Sequence, residues 1–193
     1  MIINIRGTSG SGKSTLAREI MDCYETPKPR FMLGRKRPLC YVLNRKRESL
    51  VTTPLVVIGS YENVCGGADT VPNRDQLFRL VRFWDDQKHD VLFEGVVYSD
   101  EVVRTVALHT EGRKLMVVGL ETTIEICLTR INRRRRKKNP QAKDVDPTNT
   151  TNRVRIINRA LERLRLAEVP TVTGDGRKAL RLIQRALGLA LPE

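Results

Sequence analysis

The stretch Ile2-Ile3-Asn4-Ile5-Arg6-Gly7-Thr8-Ser9-Gly10-Ser11-Gly12-Lys13-Ser14-Thr15 opens the chain, and its reading decides the fold. Ile2 to Ile5 is a short apolar run of the kind that forms a strand buried on both faces. Gly7 to Ser14 fits G-x-x-x-x-G-K-[ST]. Glycines in that pattern let backbone N–H groups encircle phosphate oxygens, and the helix expected from Lys13 adds the positive end of its dipole. Lys13 is spaced to reach the β- and γ-phosphates, and the Ser14 hydroxyl to coordinate magnesium. The pattern alone arises by chance now and then. Its place between an apolar strand and a helix with Leu16, Ile20 and Cys23 on one face makes it specific. Gly7, Thr8, Ser9, Gly10, Ser11, Gly12, Lys13, Ser14 and Thr15 are therefore the candidate contacts to a nucleoside triphosphate, with ATP and Mg2+ as the expected cofactors.

Beyond the phosphate loop, short apolar runs alternate with amphipathic segments. Leu39–Leu43 and Leu55–Ile58 read as strands bracketing the basic turn Asn44-Arg45-Lys46-Arg47, with a hairpin possible between them. Asn73 stands where an N-cap belongs, ahead of a helix with Leu77, Leu80, Val81 and Trp84 on one side. Val91-Leu92-Phe93 ends at Glu94-Gly95, and Ser99-Asp100-Glu101 opens another helix. Leu115–Val118 is a further strand, and Glu121-Thr122-Thr123 caps a helix running into an arginine cluster. Residues 139–150 read as a loop, Arg153–Ala167 as a helix, Val169–Val172 as a last strand and Lys178–Leu187 as a closing helix. The expected fold class is α/β: a P-loop NTPase, nucleotide-kinase-like, a three-layer sandwich with a mostly parallel five-stranded sheet and an Arg-rich lid. In such sheets ligands bind at the carboxyl ends of the strands. Arg6-Gly7, Ser60-Tyr61, Glu94-Gly95, Glu121 and Thr173-Gly174 should gather there.

The length of 193 residues suits one domain, and an apolar fraction of 40% argues against disorder. The reading is a single kinase domain over 1–193, with a basic insertion at about 25–54 and a basic lid at about 130–152. No stretch approaches the length of a membrane span, and the N-terminus lacks the marks of a signal peptide. A cytoplasmic protein with no membrane partner is expected. The cysteines (Cys23, Cys40, Cys65 and Cys127) form no C-x-x-C pair and read as small buried residues. Nothing in the sequence fixes the oligomeric state.

The net charge is +13, and two segments hold more positive charge than that whole excess. One runs from Lys28 through Arg30, Arg35, Lys36, Arg37, Arg45 and Lys46 to Arg47. The other holds Arg130, Arg133, Arg134, Arg135, Arg136, Lys137 and Lys138. Neither contains an acid. Arginines on a flap can stabilise a transferring phosphoryl group, but only one or two have room to do so. The surplus points to a polyanionic partner.

Several other residues are candidates for chemistry. A carboxylate at the end of a buried strand beside a phosphate loop, as Glu94 is, binds magnesium or accepts a proton from an attacking hydroxyl; otherwise it is a surface acid. Asp69, after Gly66-Gly67-Ala68, either orients the acceptor hydroxyl or closes a tight turn. Arg74 could touch a substrate phosphate. Asp175, in the turn after the last strand, is a candidate contact to the nucleotide base. Phe31, Tyr41, Tyr61 and Tyr98 offer stacking surfaces, although core packing accounts for most aromatic residues.

The order of these motifs resembles the thymidylate-kinase and adenylate-kinase group over nearly the whole chain: a phosphate loop first, a strand-end acid mid-chain, then Glu121-Thr122-Thr123-Ile124-Glu125-Ile126-Cys127-Leu128-Thr129-Arg130 leading into the lid. Those families usually place Asp-Arg or Glu-Arg after the mid-chain strand, whereas Gly95 follows Glu94 here, which speaks against a free mononucleotide acceptor. Gly59-Ser60-Tyr61-Glu62-Asn63-Val64-Cys65-Gly66-Gly67-Ala68-Asp69-Thr70, with Val91-Leu92-Phe93-Glu94-Gly95, is similar to bacteriophage kinases that phosphorylate 5-hydroxymethyluracil within DNA during thymidine hypermodification. That resemblance implies ATP as donor, a base hydroxymethyl group as acceptor and the host cytoplasm as the setting. It implies Asp69 and Glu94 as catalytic or metal-linked acids, Ser14 with Glu94 at the metal, and Lys13, Arg130 and Arg134 on the phosphates. Two other readings remain open: a kinase of a free, modified pyrimidine deoxynucleoside monophosphate, and a nucleic-acid-binding NTPase with no phosphoryl acceptor.

Overall fold

The computed structural model describes residues 1–46, 53–63 and 66–189. Arg47 of the first basic segment and Val64-Cys65 of the glycine-rich stretch lie outside the described residues. β1 (Ile2–Arg6), buried at every position, occupies the middle of the sheet. It runs parallel to β5 (Asp90–Glu94) on one side and to β6 (Leu115–Leu120) on the other. β4 (Leu55–Ile58) extends the sheet beyond β5, and β7 (Thr171–Gly174) beyond β6, both parallel. Continuous apolar runs such as Leu55-Val56-Val57-Ile58 are what strands covered on both faces require.

The expected count of five holds for this parallel set, but the whole sheet has seven strands. β3 (Cys40–Leu43) pairs antiparallel with β4, so the hairpin forms, and β2 (Lys28–Arg30) pairs antiparallel with β3 at the edge. Lys28-Pro29-Arg30 is exposed and carries no apolar alternation, so nothing local marks β2 as a strand. Its strand character comes from the pairing with β3, and proline is tolerated on an edge.

Helices cover both faces. On one, Ile3, Ile5, Leu92 and Val118 pack with Leu16, Ala17 and Ile20 of α1 (Lys13–Met21) and with Ala179 and Ile183 of α6 (Gly176–Ala186). On the other, Ile2, Val91, Phe93 and Val117 pack with Leu77, Phe78 and Val81 of α2 (Arg74–Asp86), Leu108 of α3 (Val103–Thr110), and Leu161 and Leu164 of α5 (Pro147–Leu166). The result is the expected three-layer sandwich. α4 (Ile124–Lys138) carries the second basic segment.

The capping residues act as their chemistry dictates. The Asn73 side chain accepts from Gln76 N–H at 2.8 Å, and Thr123 caps α4. α5 begins earlier than its apolar periodicity indicated. Asp146 accepts from Thr148 N–H at 2.8 Å and Pro147 stands in the first turn, so the segment 139–150 is helical from Pro147 onward. Cys40 and Cys127 are buried and Cys23 is half-buried; Cys65 is outside the described residues. Among the described residues no helix is long and apolar enough to cross a membrane.

Candidate active site

Because β4, β5, β1, β6 and β7 run in one direction, their carboxyl ends share one edge, and the turn from β1 into α1 opens there. Gly10 and Gly12 hold positive φ angles of 80° and 104°. A Cβ at Gly10 would lie 2.5 Å from the Cys127 carbonyl oxygen, so α4 packs directly on the loop. Glycine at that position is both a backbone and a packing requirement. Lys13 is buried, and its ammonium donates to the Gly7 and Thr8 carbonyls at 2.9 Å each.

Ser14 Oγ donates to Glu94 Oε1 at 2.8 Å, joining the first turn of α1 to the end of β5. Glu94 is 2% exposed. Burial pushes the Glu94 carboxyl above its ordinary range, opposed first by the Lys13 charge and then by the Ser14 hydroxyl. Burial lowers the Lys13 ammonium, opposed by Glu94 and then Asp69. Each group supplies the main charge that keeps the other ionised. A hydroxyl and a carboxylate side by side are hard-oxygen ligands of the kind magnesium uses when it is held by few protein groups. Among the described residues no group of three or more His, Cys, Asp and Glu converges, so a dedicated protein cage is not what this site offers.

Asp69 lies in a 3-10 turn, Ala68–Thr70, and is exposed. Its carboxylate accepts from Val96 N–H at 2.8 Å and Val97 N–H at 3.0 Å. The loop after β5 is thereby tied to the glycine-rich stretch. A Cβ at Gly67 would meet Glu94 Oε1 at 2.3 Å, and one at Gly95 would meet Asp69 Oδ1 at 2.5 Å. Glycines 67 and 95 let two carboxylate-bearing segments close on each other. An arginine at 95 would push the Asp69 carboxylate off the Val96 and Val97 amides, which accounts for glycine after Glu94.

α4 presents Arg130 to the phosphate loop, where its guanidinium donates to the Gly10 carbonyl at 3.1 Å. Arg134, one turn on and half-buried, is close enough to act electrostatically on both Lys13 and Cys127. Arg133 and Arg135 are exposed, and Arg136 pairs with Asp144. Asp175 is the N-cap of α6, accepting from Lys178 N–H at 2.9 Å, so its carboxylate already has a local structural partner. Arg74 pairs with Asp100 and Glu101 and donates to the Val97 carbonyl, which binds it to the loop after β5. Tyr41, Tyr61 and Tyr98 are buried, and Phe31 is 55% exposed.

Two comparisons bear on identity. Over 186 residues, 96% of both chains, the sequence is 42% identical to the 5-hmdU DNA kinase of Pseudomonas phage PaMx11. The chain belongs to the 5-hmdU DNA kinase family. The kinase is also 25% identical over 185 residues to the 5-hmdU DNA kinase of Bacillus phage SP10, covering 91% of this chain and 27% of that longer protein. No protein-family model matches the kinase. Among solved structures, deoxyadenosine kinase from M. mycoides superposes with a TM-score of 0.48 at 13% identity, covering 97% of this chain and 99% of that one.

Sequence reasoning missed the polar bracket behind this kinase's phosphate loop. Ser99 Oγ accepts from Gly7 N–H at 3.1 Å and lies 3.0 and 2.7 Å from the Gly7 and Gly95 carbonyls, linking the ends of β1 and β5. Arg6 is fully buried and donates to Thr105 Oγ1 at 2.7 Å; burial lowers its guanidinium to about 10, opposed by Glu101 and then Asp100. Arg153 of α5 reaches Asp100 at 3.0 Å and the Val96 carbonyl. The visible signal was Arg6 itself, a charged residue inside an otherwise buried strand.

Proposed function

We propose that this kinase moves the γ-phosphoryl group of ATP onto the hydroxymethyl oxygen of 5-hydroxymethyluracil in DNA, in the host cytoplasm. The chain acts as one domain, with a basic insertion at about 25–54 and a basic lid at about 130–152. The observation that carries the reading is the placement of Asp69. It puts an exposed carboxylate beside Gly95, one residue from the buried Lys13–Ser14–Glu94 cluster. Membership of the family supplies the acceptor, and the basic segments fit a polyanion.

The roles divide by burial. Loop amides from Gly7 to Thr15 and the Lys13 ammonium bind the phosphates. Ser14 and Glu94 would hold Mg2+, which supplies neutralisation of phosphate charge when bound. Arg130 and Arg134 face the transferring group. Asp69 orients the acceptor hydroxyl and takes its proton as the new O–P bond forms and the bond to the ADP oxygen breaks. Asp175, at the last strand end, is the candidate neighbour of the adenine. The target base must leave the duplex to meet the γ-phosphate in line.

Transfer of label from γ-labelled ATP with Mg2+ tests this, using DNA that contains 5-hydroxymethyluracil and the matching free monophosphate in parallel. Label in the modified DNA and none in thymine DNA is the expected result. Label confined to the monomer would make the protein a nucleotide kinase. DNA-stimulated phosphate release with no labelled acceptor would make it an NTPase.

A further inference from the structure

The hairpin of β2 and β3 ends in an apolar tip that contributes nothing to either core cluster. Phe31 is 55% exposed, Met32 39% and Leu33 101%. The backbone presents them deliberately. Arg35 N–H donates to the Met32 carbonyl at 3.0 Å, closing a four-residue turn, and Gly34 at its third position has φ 78°. That is a turn requiring glycine there, and it puts Leu33 at the outer corner. Lys28, Arg30, Arg35, Lys36 and Arg37 flank the tip in sequence with no acid among them.

The tip is also held in place. Arg35 donates to the Thr70 carbonyl at 2.7 Å, one residue from Asp69. The Gln76 amide of α2 lies 3.4 Å from Met32 Sδ. The hairpin thus stands on the acceptor side of the site, anchored to the turn that carries the acceptor-facing carboxylate. Exposed apolar residues flanked by cations match what a base stack between two phosphate backbones accepts. Side chains such as Phe, Leu and Met enter base steps, and the flanking Lys and Arg neutralise phosphates.

We propose that Phe31-Met32-Leu33 is a wedge that enters the DNA base stack beside the target nucleotide and holds the gap while that base occupies the site at Asp69. The inference rests on the DNA-base acceptor reading above. Unstacking costs least for a base already unpaired, so a wedge matters most on intact duplex.

The test compares the wild-type kinase with L33S and with the double variant F31S/L33S. The side chains concerned are largely exposed, so folding should be unaffected, which circular dichroism checks. Transfer to 5-hydroxymethyluracil in duplex DNA should fall about tenfold or more, and transfer to the same base in a single strand less than about twofold. Equal losses on both substrates, or none on either, would overturn the wedge. A second readout needs no transfer at all. A thymine duplex with 2-aminopurine next to the target position should brighten on binding wild type but not on binding the double variant. No brightening with wild type, or the same brightening with both, overturns the wedge whether or not the acceptor is correct. A wild-type kinase that brightens the probe but labels no modified DNA would instead sink the acceptor reading alone. If the same substitutions release the protein from anionic phosphatidylserine vesicles and leave DNA binding and brightening unchanged, the tip is a membrane contact and the wedge is wrong.

Discussion

The two basic segments have nearly the same composition, yet they are built differently. On α4 the positive charge lies along a helix whose base is packed on the phosphate loop through Cys127 and Gly10. Helical spacing sorts it into two faces. Arg130 touches the Gly10 carbonyl and Arg134 lies one turn above, while Arg133 and Arg135 point to solvent. On the β2–β3 hairpin Lys28, Arg30, Arg35, Lys36 and Arg37 flank an exposed apolar tip that Arg35 ties to Thr70, whereas Arg45 of the same segment is buried and paired with Asp90. In the reading proposed above, one segment faces the triphosphate and the other stands on the acceptor side. Like charges at different places around a site do unequal work, because only a cation within a few ångströms of a reacting phosphoryl group changes the barrier. Cations farther out change encounter and salt dependence.

The largest expected effect lies between the two regions. Lys13→Ala should lower kcat by about 10³-fold in label transfer, with the fold intact by circular dichroism. Asp69→Asn should abolish transfer to the level set by loss of a positioned base, about 10²–10⁴-fold. The Val96 and Val97 amides donate to different oxygens of Asp69, so asparagine keeps an acceptor for only one of them. Normal turnover by Asp69→Asn would remove it from the mechanism and leave it as a loop clasp.

The comparison itself is sharpened by charge removal on each side. Arg130→Ala or Arg134→Ala should lower kcat by about 10²-fold at saturating DNA. Neutralising Arg30, Lys36 and Arg37 should leave kcat nearly unchanged, weaken DNA binding about tenfold, and flatten its salt dependence. Neutralising the outward Arg133 and Arg135 should give a smaller version of the second pattern. If the salt slope responds only to the α4 changes, the hairpin is not on the DNA path and the contrast fails.

The pH profile is a subtler probe. Burial raises the Glu94 pKa in the free enzyme, and the metal-side role proposed for it requires the carboxylate. Wild-type kcat/KM for ATP, which reports the free enzyme, should therefore decline as pH falls through a value above the ordinary glutamate range. A limb at ordinary carboxylate pH would argue that Glu94 is solvated in the free enzyme. The smallest effects should come from the caps beside the two regions. Asn73→Ala at α2 and Asp146→Ala at α5 should each cost about 1 kcal/mol in denaturant melts. A much larger loss at either helix would mean that its segment is held mainly by that cap.

Much of this protein was legible in one dimension because its signals are local. Ile2–Ile5 running into Gly7–Ser14 required a buried strand, a phosphate loop and a helix in that order, since backbone amides, glycine torsions and the helix dipole act within a few residues. Glu94 was legible as a charge ending an apolar run, and Asn73 and Thr123 as caps. The tertiary structure alone decided the rest, because those facts depend on residues far apart in sequence. Ser14 meets Glu94 across 80 positions and Ser99 meets Gly7 across 92. β2 is a strand only because β3 lies beside it, and Arg30, Pro29 and Lys28 show nothing of that. Which arginine of the cluster meets the phosphate loop, and that Gly95 makes way for Asp69, follow from the seating of α4 and the glycine-rich turn on the sheet edge. Periodicity gives a helix its faces, but only packing gives those faces neighbours.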